Sequence, residues 1–246
     1  MEKRCCRDVL VVGGTSEMAL AVLQALPDLR RVLLIGRDRL RLEAARRNLA
    51  GGCGSAEPEI SILEVGSPEP YRIREICGSL PWQPDLAVIA QGMLTVPPGD
   101  GGLPEMIRVN LTEPCLWISV LAEIFRDREM RLCVISSVAG DRGRGSNYAY
   151  GMTKAGLSAF TEGLASRLAR EGSPLGITLV KPGLVDTVMI RQRRDRRLIC
   201  PCSRAGRIIA RGVLRGRGTV YVPWWWAVPG ILLRLVPQGI LSRIPW

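Results

Sequence analysis

The amino-acid sequence predicts an α/β fold: a single domain on a doubly wound parallel sheet, with an apolar C-terminal extension. Three observations carry this. Residues 9–12, 32–35, 86–90, 132–136 and 177–180 are uninterrupted apolar runs, and 60–65 is a weaker one; such runs suit parallel strands covered on both faces. Residues 18–26, 39–49, 107–125 and 150–170 carry helical spacing between them. The alternation continues without an internal repeat or linker, and right-handed crossovers then wind the helices onto both faces. Residues 51–55 and 97–102 read as loops from their Gly and Pro content.

The first strand ends in Val12-Gly13-Gly14-Thr15-Ser16-Glu17-Met18-Ala19. A glycine turn entering a helix brings backbone N–H groups and the helix N-terminus to a diphosphate. The G-x-x-x-G-x-G spacing falls on Gly13, Glu17 and Ala19, so one glycine of three is present; an ordinary βα turn is the competing reading. Glu17 suits a diphosphate only if its carboxylate points away. The second strand ends in Gly36-Arg37-Asp38-Arg39, with Gly36 where a ribose-binding acid is expected. Arg37 tilts the cofactor towards NADPH, unless it merely opens a solvated helix.

The run 132–136 leads into Ser137, and Tyr150-Gly151-Met152-Thr153-Lys154 follows 13 positions later. Tyr150 and Lys154 are i and i+4, on one helix face. A Tyr serves as a proton donor near neutral pH if its pKa, ordinarily about 10, is lowered, and an adjacent Lys⁺ is expected to lower it. The Ser137 hydroxyl is placed to bond the same carbonyl oxygen. A chance Tyr-x-x-x-Lys on an amphipathic helix is the bland alternative for the pair alone; Ser137 at a strand end argues against it.

Composition narrows the rest. The 246 residues carry 34 Lys+Arg against 23 Asp+Glu, a net charge of +11, which favours anionic partners. The absence of His removes His-based triads and most catalytic zinc sites. Eight Cys include no Cys-x-x-Cys pair, so reduced structural thiols and no metal are expected. No nucleic-acid reading motif accompanies the charge, and nucleic acid is not expected as a partner. The charged start lacks a signal-peptide pattern, which implies a cytoplasmic protein or one peripheral at the inner membrane, with the membrane face left open.

Residues 1–218 are taken as a dinucleotide-binding domain that includes the catalytic site and 219–246 as an apolar extension for membrane or lipid contact. The extension holds Trp224, Trp225 and Trp226, and its longest uncharged stretch, 218–233, is broken by two prolines. It is too short for the roughly 20 residues of a spanning helix, so an interfacial segment or a lip over a lipid cleft is expected, with Arg234, Arg243 and the basic run 191–197 near phosphate or anionic lipid. A tail packed as core or as a dimer seam is the alternative.

Together these motifs resemble the short-chain dehydrogenase/reductase family over nearly the whole chain, which implies a Rossmann-like fold. The resemblance implies a hydride transfer between NADH or NADPH and a ketone. Tyr150 would be the proton donor, Lys154 its partner and nicotinamide-ribose ligand, Ser137 the carbonyl-polarising group, and Asn110 the support of a water-mediated proton path to Lys154. It implies a cofactor site at Gly13, Thr15, Ser16, Glu17, Met18, Arg37, Glu64, Val65, Ala90, Gly92, Tyr150, Lys154, Pro182, Gly183, Val185 and Thr187. Ala90-Gln91-Gly92 stands where the family has N-N-A-G and retains only the Gly. Gly-Gly-Thr-Ser-Glu at 13–17, Tyr-Gly-x-Thr-Lys-Ala-Gly-Leu at 150–157 and the tail are most similar to an actinobacterial branch that reduces a decaprenylphosphoryl 2-keto-pentose. That branch is associated with NADH, and within it Glu17 would be a shared trait. It implies a lipid-linked ketone substrate, the arabinose donor for cell-wall arabinan as product line, and a homo-oligomer or an epimerase partner subunit. A reductase of another soluble or lipophilic ketone and a catalytically silent nucleotide-binding scaffold remain the alternatives.

Overall fold

A computed structural model describes residues 6–52, 58–96, 101–190 and 198–241. The elements alternate as expected: β1 (Asp8–Val12), α1 (Glu17–Gln24), β2 (Arg31–Gly36), α2 (Arg39–Gly52), β3 (Glu59–Glu64), α3 (Pro70–Ser79), β4 (Leu86–Ile89), α4 (Gly102–Ile107), α5 (Glu113–Ile124), β5 (Arg131–Ile135), α6 (Tyr148–Arg170), β6 (Gly176–Pro182), α7 (Cys202–Leu214), β7 (Thr219–Val222), α8 (Ala227–Leu235) and α9 (Gln238–Leu241). The strands form one sheet in the order β3-β2-β1-β4-β5-β6-β7, and every pairing is parallel.

Each strand feeds both faces because successive side chains alternate. Val9 and Val11 join one core with Leu23 of α1, Leu42 of α2 and Ile209 of α7. Leu10 and Val12 join the other with Ile73 of α3, Trp117 of α5 and Leu157 of α6. That two-sided burial explains why β1 reads as five consecutive buried residues. At the start of β1, buried Asp8 accepts hydrogen bonds from Arg31 at 2.8 and 2.7 Å and from Arg30. The Arg31 hydrogen bonds, with those of Arg30, hold its carboxyl down to about 2.

Four expectations need correcting or extending. The helical span 107–125 is interrupted: a π-helical turn, Arg108–Thr112, separates α4 from α5, and such turns gather at functional sites. The helices α3 and α7 had no counterpart in the sequence reading. The expected loop 51–55 begins in helix, since α2 runs to Gly52; residues 53–57 and 97–100 lie outside the described residues. Residues 219–222, assigned to the extension, form β7 and pair with β6. The chain reverses direction of winding at β1, whose neighbours are β2 and β4. In open α/β sheets ligands bind outside the carboxyl ends of the strands at such a switch point.

Candidate active site

A cleft opens at those carboxyl ends. Ser16, Met18, Ala90, Gly92, Ser137, Tyr150, Lys154, Pro182, Gly183, Val185 and Thr187 line it, all of them expected from sequence. Gln91, Arg144, Asn147, Met189 and Trp226 line it as well and were not expected there.

Its floor begins with the turn after β1. Gly13 has φ +85°, and a Cβ there would meet the Ala90 carbonyl carbon and the Gln91 nitrogen at 2.8 Å. Only glycine fits both the backbone conformation and the approach. The N–H groups of Gly13 and Gly14 both bond the Ile35 carbonyl, at 3.0 and 2.8 Å, and exposed Thr15 leads to Ser16. The Ser16 hydroxyl caps α1 by accepting from Ala19 N–H at 3.3 Å. Glu17 points away from this cradle, as a diphosphate site requires: its carboxylate accepts from Val188 N–H at 2.6 Å. The carboxylate thereby ties the start of α1 to the 3₁₀ turn Val188–Ile190 beyond β6.

The catalytic candidates meet across β5 and α6. Ser136 joins the two by donating to the Lys154 carbonyl at 3.0 Å, with its hydroxyl 2.8 Å from that of Ser158. Ser137 then turns its hydroxyl inward, accepting from Ala139 N–H at 3.1 Å and donating to the Pro182 carbonyl at 3.5 Å. Lys154 is buried. Its ammonium donates to the Ile135 carbonyl at 3.2 Å and the Gln91 carbonyl at 3.5 Å, and it lies 5.9 Å from the Tyr150 ring centre. Burial lowers the Lys154 pKa from 10.5 to about 8.

Tyr150 departs from expectation. Desolvation pushes its hydroxyl above the ordinary value of 10, and a hydrogen bond with Ser137 opposes this. Lowering by Lys154 does not dominate, because the same burial that weakens the ammonium disfavours the phenolate. Tyr150 therefore keeps its proton at neutral pH.

Asn110 is carried by the π-helical turn and is fully buried. Its Oδ1 accepts from Met93 N–H at 2.7 Å, and its Nδ2 donates to the Met93 carbonyl at 2.8 Å and to Thr153 Oγ1 at 3.2 Å. It therefore clamps the loop after β4 to α6. Gly92 sits beneath, where a Cβ would lie 3.3 Å from Lys154 Nζ and 3.6 Å from Asn110 Oδ1. Gln91 Nε2 donates to buried Glu113 at 3.0 Å. Burial raises the Glu113 carboxyl, while Arg108, which also contacts Ser67, opposes the rise.

Arg37, Glu64 and Val65 stand at the same end of the sheet, outside the cleft lining. Arg37 follows β2 and pairs with Glu105 at 3.1 Å. Glu64 ends β3 and is exposed; Val65 N–H bonds the Gly36 carbonyl at 2.8 Å. Val185 is buried and Thr187 Oγ1 donates to its carbonyl at 3.3 Å. The residues fit a dinucleotide on two counts. Buried Gln91 Oε1 lines the cleft without a partner, and the Ser16 start of α1 lines it too.

Beside the cleft, the Lys181 ammonium lies 2.9 Å from Asp141 and 3.2 Å from Glu162, and Tyr221 donates to Asp141 at 3.1 Å. Helix α8 sits on this cluster at Gly230, where a Cβ would be 2.8 Å from Asp141 Oδ2. Arg142 donates to the Val236 carbonyl at 3.1 Å. The tail is thus docked on the turn that follows Ser137. Its outer face is apolar and exposed at Trp224, Val228, Leu232 and Leu235, a helical stripe reaching 72% and 76% exposure at its ends. No described helix is long and apolar enough to cross a membrane. Arg243 and residues 191–197, expected near phosphate, lie outside the described residues, as does the Arg234 side chain. The six described Cys are free thiols, and no described His/Cys/Asp/Glu group could hold a metal ion.

The sequence could not single out Asn147 or Trp226 as cleft residues, because α6 and the tail meet there only through the fold. The spacing of Asn147, three before Tyr150, was the sole available hint.

Comparison with known proteins agrees with this geometry. The short chain dehydrogenase family profile matches residues 100–198. An uncharacterized oxidoreductase of Mycobacterium tuberculosis is 27% identical over 248 residues, covering 96% of each chain. One of Streptomyces coelicolor is 29% identical over 247 residues, covering 97% of this chain and 96% of its own. A short-chain dehydrogenase from Burkholderia cenocepacia, solved in complex with NADP, superposes with a TM-score of 0.78 at 16% identity over the full length of both chains. The profile match over residues 100–198, the full-length oxidoreductase relatives and the shared fold make this chain similar to short-chain dehydrogenases.

Proposed function

We propose that the protein is an NAD(P)H-dependent reductase of a lipophilic ketone, and that its substrate is the 2-keto sugar of a polyprenyl phosphate. The observation that carries the reductase reading is the convergence of Ser137, Tyr150 and Lys154 on one cleft beside the Gly13 cradle. Reduced nicotinamide, when bound, supplies the hydride that adds to the carbonyl carbon. Ser137 donates a hydrogen bond to the carbonyl oxygen and so draws the π electrons towards it. Tyr150 gives its proton to that oxygen as the alcohol forms. The Lys154 ammonium stabilises the phenolate left behind and would hold the cofactor's ribose. Asn110 keeps the loop after β4 against α6. General acid catalysis of this kind contributes about 10²–10⁴-fold.

The lipid-linked part of the reading rests on the sequence resemblance and on the tail. The exposed stripe from Trp224 to Leu235 lies on the 3₁₀ turn Trp224–Trp226 and on α8, which docks beside the turn after Ser137. Such a face inserts among headgroups, with a net positive protein drawn to anionic lipid. The NADP bound to the Burkholderia neighbour supports a nicotinamide cofactor, and Arg37 supports the 2′-phosphate form. Place in arabinose-donor synthesis, contact with the inner membrane and assembly with an epimerase subunit belong to the same proposal.

The test pairs purified protein with a keto-sugar polyprenyl phosphate and with a short soluble analogue, following oxidation of NADH and NADPH. Faster turnover of the lipid-linked ketone, lost along with binding to anionic liposomes in Leu232→Glu/Leu235→Glu, supports the reading. Equal turnover of both by that variant removes the lipid part. Cofactor binding without turnover of any ketone favours a silent scaffold.

A further inference from the structure

Among the described residues, four buried side-chain polar atoms have no hydrogen-bond partner: Gln91 Oε1, Asn147 Oδ1, Thr178 Oγ1 and Trp226 Nε1. All but Thr178 belong to residues that line the cleft. Buried polar atoms are nearly always bonded, and leaving one unbonded costs about 1–3 kcal/mol. A concentration of them in one cleft marks atoms kept for a ligand. Gln91 lies on the cofactor side, against the Gly13 turn. Asn147 and Trp226 do not.

Asn147 precedes α6 at its N-cap position, yet its side chain makes no capping bond. An Asn there ordinarily accepts from the helix N–H groups. Here the oxygen is withheld from the helix, one turn ahead of Tyr150. Trp226 arrives on the 3₁₀ turn Trp224–Trp226 after β7. Its indole is seated over Gly183, where a Cβ would lie 2.1 Å from Nε1 and 2.2 Å from Cε2. The absent side chain at 183 is what admits the indole N–H to the cleft. One orphan is therefore a donor and the other an acceptor, and both residues line the cleft that holds Tyr150.

We infer that Asn147 and Trp226 are specificity-determining residues that recognise hydroxyl groups flanking the reacting carbonyl, making the substrate a hydroxyketone rather than a plain ketone. Hydroxyl groups satisfy either atom: a hydroxyl oxygen accepts from Trp226 Nε1–H, and a hydroxyl proton goes to Asn147 Oδ1. The inference rests on the reductase reading and is independent of the lipid tail.

The test compares 2-hydroxycyclohexanone with cyclohexanone at saturating reduced cofactor, using wild type, Trp226→Phe and Asn147→Ala. Trp226→Phe keeps the ring and removes the N–H; Asn147→Ala removes an atom that caps nothing, so one variant stands if the other misfolds. Wild type should favour the hydroxyketone by about 10-fold or more in kcat/KM, and each variant should lose about 10-fold on it while changing little on cyclohexanone. Melting temperature and cofactor affinity should be unchanged. An unchanged hydroxyketone preference in both variants overturns the inference. A fall on both ketones with weakened NAD(P)H binding also overturns it, and gives the indole N–H to the cofactor. Equal turnover of the two ketones by wild type overturns the hydroxyl pairing alone. Failure of wild type to reduce either overturns it together with the reductase reading.

Discussion

Replacing Lys154 with Met should make the unliganded protein more stable while abolishing turnover. The ammonium sits in a buried pocket with two carbonyl partners, at 3.2 and 3.5 Å. Its pKa falls from 10.5 in the unfolded chain to about 8 in the folded one. Between these values the unfolded chain binds the proton and the folded chain does not, so stability rises with pH across that window. Below pH 8 the whole penalty is present; above 10.5 it is gone. The gap from 10.5 to about 8 corresponds to about 3 kcal/mol at 1.36 kcal/mol per tenfold change. The hydrogen bond to Ile135 returns about 1 kcal/mol. Methionine, of similar length and uncharged, should therefore gain about 2 kcal/mol at pH 7, or about 4–8 °C in melting temperature for a domain of this size. Urea unfolding at pH 7 and at pH 9.5 measures it directly. The advantage of the variant should shrink at the higher pH. A variant that is less stable at pH 7, or a difference independent of pH, refutes the reasoning: the carbonyl partners would then outweigh desolvation.

Tyr150→Phe should lower kcat by at least about 10²-fold with NAD(P)H affinity kept, the low end for loss of a general acid; wild-type turnover would remove Tyr150 from the mechanism. Reductive kcat/KM should fall as pH rises through about 8, where Lys154 loses its proton, and Lys154→Arg, if it folds and retains measurable turnover, should abolish that limb because a guanidinium stays charged; an unchanged limb assigns it elsewhere. Arg37→Asp should cut the NADPH-over-NADH preference by about 10-fold, the scale of a lost charge-assisted hydrogen bond, and unchanged preference would leave Arg37 as the partner of Glu105 only. Gly183→Ala should cost about 1–3 kcal/mol by overpacking against the Trp226 indole, visible as a lower melting temperature and altered tryptophan emission; an unperturbed protein would mean the indole moves freely.

The sequence alone determined what is local. Buried strands announce themselves as unbroken apolar runs because both sheet faces are covered, so β1, β2, β4, β5 and β6 were legible. Tyr150 and Lys154 were legible because one helix face fixes their relation. Ser137 lay at the end of a readable strand. Helix α7 was overlooked although Ala205, Ile209, Ala210 and Val213 recur at helical spacing on its buried face, and the π-helical turn escaped because one added residue per turn leaves no compositional mark. The rest depended on separations that only folding closes. Glu17 looked misplaced beside a diphosphate until β6 delivered the Val188 N–H to its carboxylate. Burial, a property of the assembled cleft, set the direction of the Tyr150 shift against the one its neighbour Lys154 suggested. Trp226 read as a tail residue; β7 beside β6 carries it over Gly183, 43 positions away in the chain. Periodicity encodes which face a residue takes on its own element. It does not encode which remote backbone that face will meet, and the cleft is made of such meetings.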